Sequence, residues 1–202
     1  MRVVIPVADD SILEQRKRFG ADQWDEMWEG VLHMVPLPDD VHQSLESALE
    51  FYLNLHWGMP QKSIVQHQIN LSTLGAGKEW VHNYRVPDLL LLTPDRFHVR
   101  CGTHWEGAPS VVVEIHSPGD EAYEKLPFYR DLGVPEVWII HRESKQTEVY
   151  LLKDRDYERC EPDADGWVRS PATSVEMKST TAKKLAVRVA GKESTRAELP
   201  LF

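Results

Sequence analysis

The sequence holds only two cysteines, Cys101 and Cys160, in 202 residues. Two thiols build no disulfide framework, so the chain reads as a protein of a reducing compartment, cytoplasmic in style. No stretch approaches the ~20 apolar residues of a membrane helix, and no membrane partner is expected. The start shows no secretory pattern: the short, mostly apolar run over residues 1–7 contains Arg2, is interrupted by Pro6 and is followed by Asp9 and Asp10. Positive charge is also scarce. Lys and Arg number 23 against 32 Asp and Glu, a formal charge of −9. Such a field repels phosphate backbones at long range and excludes a protein that coats DNA constitutively. It leaves open a site where metal ions bridge acids to phosphate. No phosphate loop is present, because Gly75-Ala76-Gly77-Lys78 lacks the spacing that wraps a triphosphate. Internal repeats and low-complexity tracts are lacking too.

What is present is an ordinary globular composition, 42% hydrophobic and 27% charged, which suits one folded domain. Residues 1–22 read as an N-terminal extension with a basic knot at Arg16, Lys17 and Arg18. Residues 23–190 read as a single domain and 191–202 as a tail. Val41, Leu45, Ala48, Leu49, Tyr52 and Leu53 recur at helical spacing and predict a helix over 40–57. Asp40 and Gln43 resemble its capping box, and Gly58 and Pro60 stop it. Residues 64–71 alternate as a strand, 85–93 form a Leu-rich strand opened by Pro87, and 110–116 form a strand covered on both faces. A second helix is expected over 118–132, delayed or kinked by Pro127 and capped by Gly133. Residues 136–141 and 147–152 form a hairpin. The layout is α/β (α+β), with one central mixed sheet flanked by helices.

Asp88 lies in VPDLLLL and Glu114 in SVVVEIH, two acids inside strands that otherwise seek burial. A buried carboxylate is costly unless hydrogen-bonded, paired or bound to metal. A single one would be read as paired with a neighbouring Arg, and Arg85 is near. Two are more informative. If the strands pair antiparallel with Leu92 opposite Ser110, Asp88 falls opposite Glu114, with Cβ atoms about 5 Å apart. Like charges at that range call for a cation between them, and a hard ion such as Mg²⁺ takes carboxylates, water and phosphate as ligands. Lys125, early in the following helix, is either a solvent lysine or a cation reaching back to the site. His116 shares the parity of Glu114 and is either a site residue or a satisfied rim histidine. His98, Cys101 and His104 are spaced three apart and resemble zinc ligands, but lack an obvious fourth, so they read as a polar loop.

The order Pro87-Asp88, Glu114, Ser117-Pro118, Glu124-Lys125-Leu126, Tyr129 and Gly133-Val134-Pro135-Glu136-Val137-Trp138 is specific. With residues 24–45 upstream, including Glu29-Gly30, Pro38 and His42, it resembles the Uma-two family of restriction-endonuclease-like proteins in the PD-(D/E)XK nuclease superfamily. The likeness spans roughly residues 20–190. It implies a restriction-endonuclease-like core, a divalent metal on Asp88 and Glu114, and accessory roles for Glu29 and His42. The superfamily pattern places a lysine two residues after the Glu, where this chain has His116. The likeness then makes Lys125 the migrated catalytic lysine. The expected activity is Mg²⁺- or Mn²⁺-dependent cleavage of DNA, with Lys125 orienting or helping to deprotonate the attacking water. The alternative is a nuclease-like fold kept as an interaction module. A homodimer would address both strands of a duplex.

Overall fold

The computed structural model describes residues 3–5, 10–20, 22–35 and 38–200. The first part of the chain runs through β1 (Val3–Ile5), α1 (Asp10–Arg18), β2 (Glu26–Trp28), β3 (Val31–Met34) and α2 (Asp40–Leu53). A π-helical turn, Asn54–Gly58, leads into α3 (Met59–Gln61). Then come β4 (Ile64–His67), β5 (Leu71–Ser72), β6 (Tyr84–Arg85), β7 (Leu89–Leu92), β8 (Trp105–Glu106), β9 (Val111–His116) and α4 (Leu126–Leu132). The chain continues through β10 (Glu136–His141), β11 (Thr147–Lys153), β12 (Asp156–Arg159), β13 (Val168–Arg169), β14 (Val175–Ser179), β15 (Leu185–Val189) and β16 (Lys192–Leu199).

The central sheet has the order β12-β11-β10-β9-β7-β4. It is mixed: β9 and β10 are parallel, and the other neighbours are antiparallel. The parallel pair needs a crossover, which α4 supplies. Leu89, Leu90 and Leu91 face Val113, Val112 and Val111, the register that continues to Asp88 opposite Glu114. Burial on both sides of this sheet explains why β7 and β9 are near-continuous apolar runs.

One face packs Leu89, Leu91, Val111, Val113 and Ile115 against Leu45, Leu49 and Leu53 of α2. The same face is extended by a four-stranded antiparallel sheet, β13-β14-β15-β16, through Val175, Met177, Leu185 and Leu199. The other face packs Leu90, Val112, Val137 and Ile139 against Tyr129 of α4, and against Leu71 and Trp105 of the sheet β1-β3-β2-β6-β5-β8. Helices therefore cover the central sheet only in part, and two further sheets, of six and four strands, complete the layers. Residues 192–199, set apart in sequence as part of a tail, are β16. Their apolar signal is weak because most of that strand is exposed, and only Leu199 at its end is in the core.

Several helix boundaries differ from the sequence expectation for local reasons. Asp39, rather than Asp40, caps α2, and its carboxylate accepts the His42 N–H at 3.0 Å. Val41 is outside the buried stripe and is 48% exposed, whereas His42 and Glu46 lie inside it. Gly58 and Pro60 do not end the helical segment. Pro60 sits in the first turn of α3, where its missing donor costs nothing, and the chain turns at Lys62 with φ +53°. The predicted strand over 64–71 is broken at Gln68, which has φ +47°. Helix α4 begins only at Leu126, so Pro127 also falls in a first turn. Gly133 ends that helix at φ +80°, a conformation that glycine takes without strain. Arg16 of the basic knot is tied to Asp25 through two side-chain contacts.

Candidate metal centre and active site

A cleft of about 440 Å³ opens beside the ends of β7 and β9. Its walls include Glu26, His42, Asp88, Glu114, Lys125 and Arg142. Each acid arrives there for a different local reason.

Asp88 stands immediately before β7, just after Pro87. Continuing the register puts Pro87 opposite Ile115. The Ile115 N–H instead donates to Asp88 Oδ2 at 2.6 Å, and the carboxylate takes over a position in the ladder. Asp88 Oδ1 lies 2.9 Å from His42 Nε2 on α2. The Arg85 pairing considered from sequence does not form. The Arg85 guanidinium donates to Met27 O, Tyr84 O and Asn83 Oδ1 and lies between the Trp28 and Phe128 rings, 4.2 Å from each centroid.

Glu114 is 4% exposed. Its Oε2 accepts from Lys125 Nζ at 3.1 Å, and its Oε1 accepts a short hydrogen bond from the Tyr129 hydroxyl. Burial drives its pKa upward, and the charges of Asp88 and Glu26 add to the effect against the opposing pull of Lys125. Lys125 sits at the N-cap of α4, after a turn over 122–125. Its Nζ also meets Glu26 Oε1 at 2.8 Å. Burial opposes the lysine charge, but Glu114 and Glu26 outweigh it and hold the pKa above the ordinary lysine value. Lys125 is thus a fixed ammonium between two carboxylates. The loop carrying it is organised by Asp120, whose carboxylate accepts the Ser117 and Ala122 N–H groups.

Three groups absent from the sequence expectation join this centre. Glu26, on β2, is almost fully buried and also accepts the Val86 N–H at 2.9 Å and the Trp28 indole N–H at 2.7 Å. Glu46, one turn beyond His42, is 3.8 Å from His42 Nε2 and accepts from Gln68 Nε2 at 3.3 Å. Its pKa is pushed up to about 7 by burial first and by repulsion from Asp88. Tyr129 presents its hydroxyl to Glu114. A polar pair at i and i+4 on the buried stripe of α2 was a readable signal for Glu46. Glu26 has no comparable signal, because β2 is only three residues long.

The remaining expected residues divide. His42 stands at the centre of the site: burial lowers its proton affinity, but Asp88, with Glu46 and Glu114, reverses this and raises its pKa. Glu29 is in the β2–β3 turn at φ +51°, exposed and away from the cleft walls. His116 meets Asp120 Oδ1 at 2.6 Å and packs edge-on against Tyr123 and His141. It stands behind a cleft residue rather than in the cleft.

The donors suit a hard divalent ion. One ligand atom each from His42, Glu46 and Asp88 lies within 4.8 Å of the others. Glu114 adds a further carboxylate on the wall of the same cleft. Oxygen-rich sets with carboxylates are the preference of Mg²⁺ and Mn²⁺.

A family model named Uma2, with the description "Putative restriction endonuclease", matches residues 13–187. The chain belongs to the Uma2 family. A solved structure from Anabaena variabilis, described as a "putative nuclease belonging to DUF820", is similar to this Uma2 chain with a TM-score of 0.57 and 20% identity. The similarity covers 73% of this chain and 82% of that one, and it establishes a shared fold. No curated protein matches this Uma2 chain. Among its described residues, no helix is long and apolar enough to cross a membrane.

Proposed function

We propose that this chain is a divalent-metal-dependent endonuclease that hydrolyses DNA phosphodiester bonds. The observation that carries the reading is the convergence of Asp88, Glu114 and the buried Lys125 ammonium on one cleft. Asp88 and Glu114 would hold Mg²⁺ or Mn²⁺, with His42 and Glu46 adjoining. The ion would supply charge neutralisation for a phosphate and acidification of a water. Lys125 donates hydrogen bonds toward the reacting phosphate and stabilises growing negative charge. Its raised pKa makes it a donor rather than a base. His42, 2.9 Å from Asp88, and Glu46, 3.8 Å from His42, would complete the donor set around the ion. Arg142, on the cleft wall, would contact a backbone phosphate. Work in the cytoplasm and assembly as a homodimer belong to the same reading.

The test is cleavage of plasmid and oligonucleotide DNA in Mg²⁺ or Mn²⁺. Asp88→Asn and Glu114→Gln should each lose at least about a hundredfold of activity with unchanged circular dichroism. Robust cleavage by both variants would reject the assignment.

One observation favours a second reading, a nuclease-like fold acting as a binding module. Both Glu114 oxygens are engaged by Lys125 and Tyr129, an internal arrangement that satisfies the buried acid without metal. Calorimetric titration separates the two. Mn²⁺ binding that disappears in Asp88→Asn supports the enzyme, and no heat at millimolar Mn²⁺ supports the module.

A further inference from the structure

We propose a second metal site, for a soft divalent ion such as Zn²⁺, formed by Cys101, His104 and Glu106. None of the three lines the acidic cleft. The sequence offers Cys101 and His104 with His98, which gives no closed set. The structure replaces His98 with Glu106. His98 is turned to the Asp95 carbonyl at 3.1 Å, whereas one ligand atom each of Cys101, His104 and Glu106 lies within 4.8 Å of the others.

The backbone builds this grouping. Cys101 and His104 are the ends of a four-residue turn, closed by the Cys101 N–H donating to His104 O at 2.9 Å. Gly102 takes φ +88° in that turn, a value strained for any residue with a Cβ. The Arg100–Trp105 bridge continues the pairing and brings Glu106 onto β8 beside the turn. A Cys-x-x-His turn therefore presents a thiol and an imidazole together, and the next strand adds a carboxylate.

The imidazole is pre-oriented. His104 is 6% exposed and stacked on Trp80, with centroids 4.3 Å apart and planes 12° apart. Thr103 Oγ1 is 3.1 Å from Nδ1, and Glu106 Oε1 is 2.9 Å from Nε2. Donors on one tetrahedral Zn²⁺, with bonds near 2.0–2.1 Å, stand about 3.3 Å apart. The His104–Glu106 pair needs only a small opening for an ion to replace the shared proton. Cys101 is exposed and its thiol makes one long hydrogen bond, to the Val99 carbonyl at 3.7 Å, which it would exchange for the ion. The set of one sulfur, one nitrogen and one oxygen is borderline-soft and leaves a fourth position for water. The backbone of the Gly75–Gly77 turn lies beside Glu106 and favours its charged form, so the ion would tie that turn to the segment before β8.

The test uses the metal-free full chain and Co²⁺ as a spectroscopic probe. Expected is a near-ultraviolet thiolate-to-cobalt charge-transfer band that saturates at one equivalent and is displaced by Zn²⁺. The band should vanish in Cys101→Ser, which alters an exposed side chain, and persist in Cys160→Ser and Asp88→Asn. His104→Gln and Glu106→Gln should each weaken Co²⁺ binding about tenfold or more. Absence of the band in the wild-type chain overturns the proposal. So does a band that survives in Cys101→Ser, or unchanged affinity in both the His104 and Glu106 variants.

Discussion

The Asp88 carboxylate accepts the backbone N–H of Ile115, the residue that follows Glu114. The two acids are thereby joined through the main chain of β9 as well as through the cleft. One oxygen of Asp88 is committed to the ladder, and the other faces His42. This fixes the direction of Asp88 before any ion arrives, which reduces the ordering cost of binding one.

Lys125→Met tests the buried ammonium. The variant leaves Glu26 and Glu114 without their shared cation, and breaking such a buried arrangement costs about 3–5 kcal/mol. The expected outcome is a large fall in urea midpoint for the metal-free variant, and cleavage reduced at least about a hundredfold. Saturating Mn²⁺ should recover part of the stability, and more than it adds to the wild-type chain.

Glu46→Gln tests the pH dependence. The Glu46 pKa of about 7 in the folded chain lies above its ordinary 4.5. A raised acid contributes stability at low pH that is lost as pH rises through the folded value. Metal-free wild-type protein should therefore weaken between about pH 4.5 and pH 7, by on the order of 2 kcal/mol from this group. The Gln variant should show a flatter profile over that window in paired denaturation curves. An unchanged slope would remove Glu46 as the source.

Tyr129→Phe removes the hydroxyl that donates to Glu114. The ring remains to pack under β9, so the loss isolates the hydrogen bond. Stability should fall by about 1–3 kcal/mol. Mn²⁺ affinity should change in the same preparation, because Glu114 loses the contact that holds one of its oxygens.

Arg142→Ala tests substrate entry. Arg142 Nη1 donates to Asp39 Oδ2 at 2.6 Å on the cleft wall, and its buried Nε has no hydrogen-bond partner. If DNA enters this cleft, the variant should bind all sequences more weakly. The salt dependence of binding should also fall, by a slope of about one. Fluorescence anisotropy at several salt concentrations reads both quantities.

The sequence by itself determined the central sheet and its two acids. Apolar runs interrupted by a single carboxylate are a local pattern, and that pattern alone makes Asp88 and Glu114 conspicuous; the structure buries Glu114 and leaves Asp88 half-buried. The β7–β9 register was only one supposition among the ways four leucines can align with three valines, and the structure selects it. Tertiary structure decided the rest. Glu26 comes from a three-residue strand, and Glu46 from a helix on the opposite face of the sheet from α4. Neither is near Asp88 or Glu114 in sequence; only the layering of sheets brings Glu26 to the cleft wall and sets Glu46 behind His42. Glu29, close to Glu26 along the chain, is carried away by a tight turn. His116 keeps the parity of Glu114 but is taken by Asp120. Period and propensity report which side of an element is buried; they do not report which distant charge is buried against it, and that meeting defines the site.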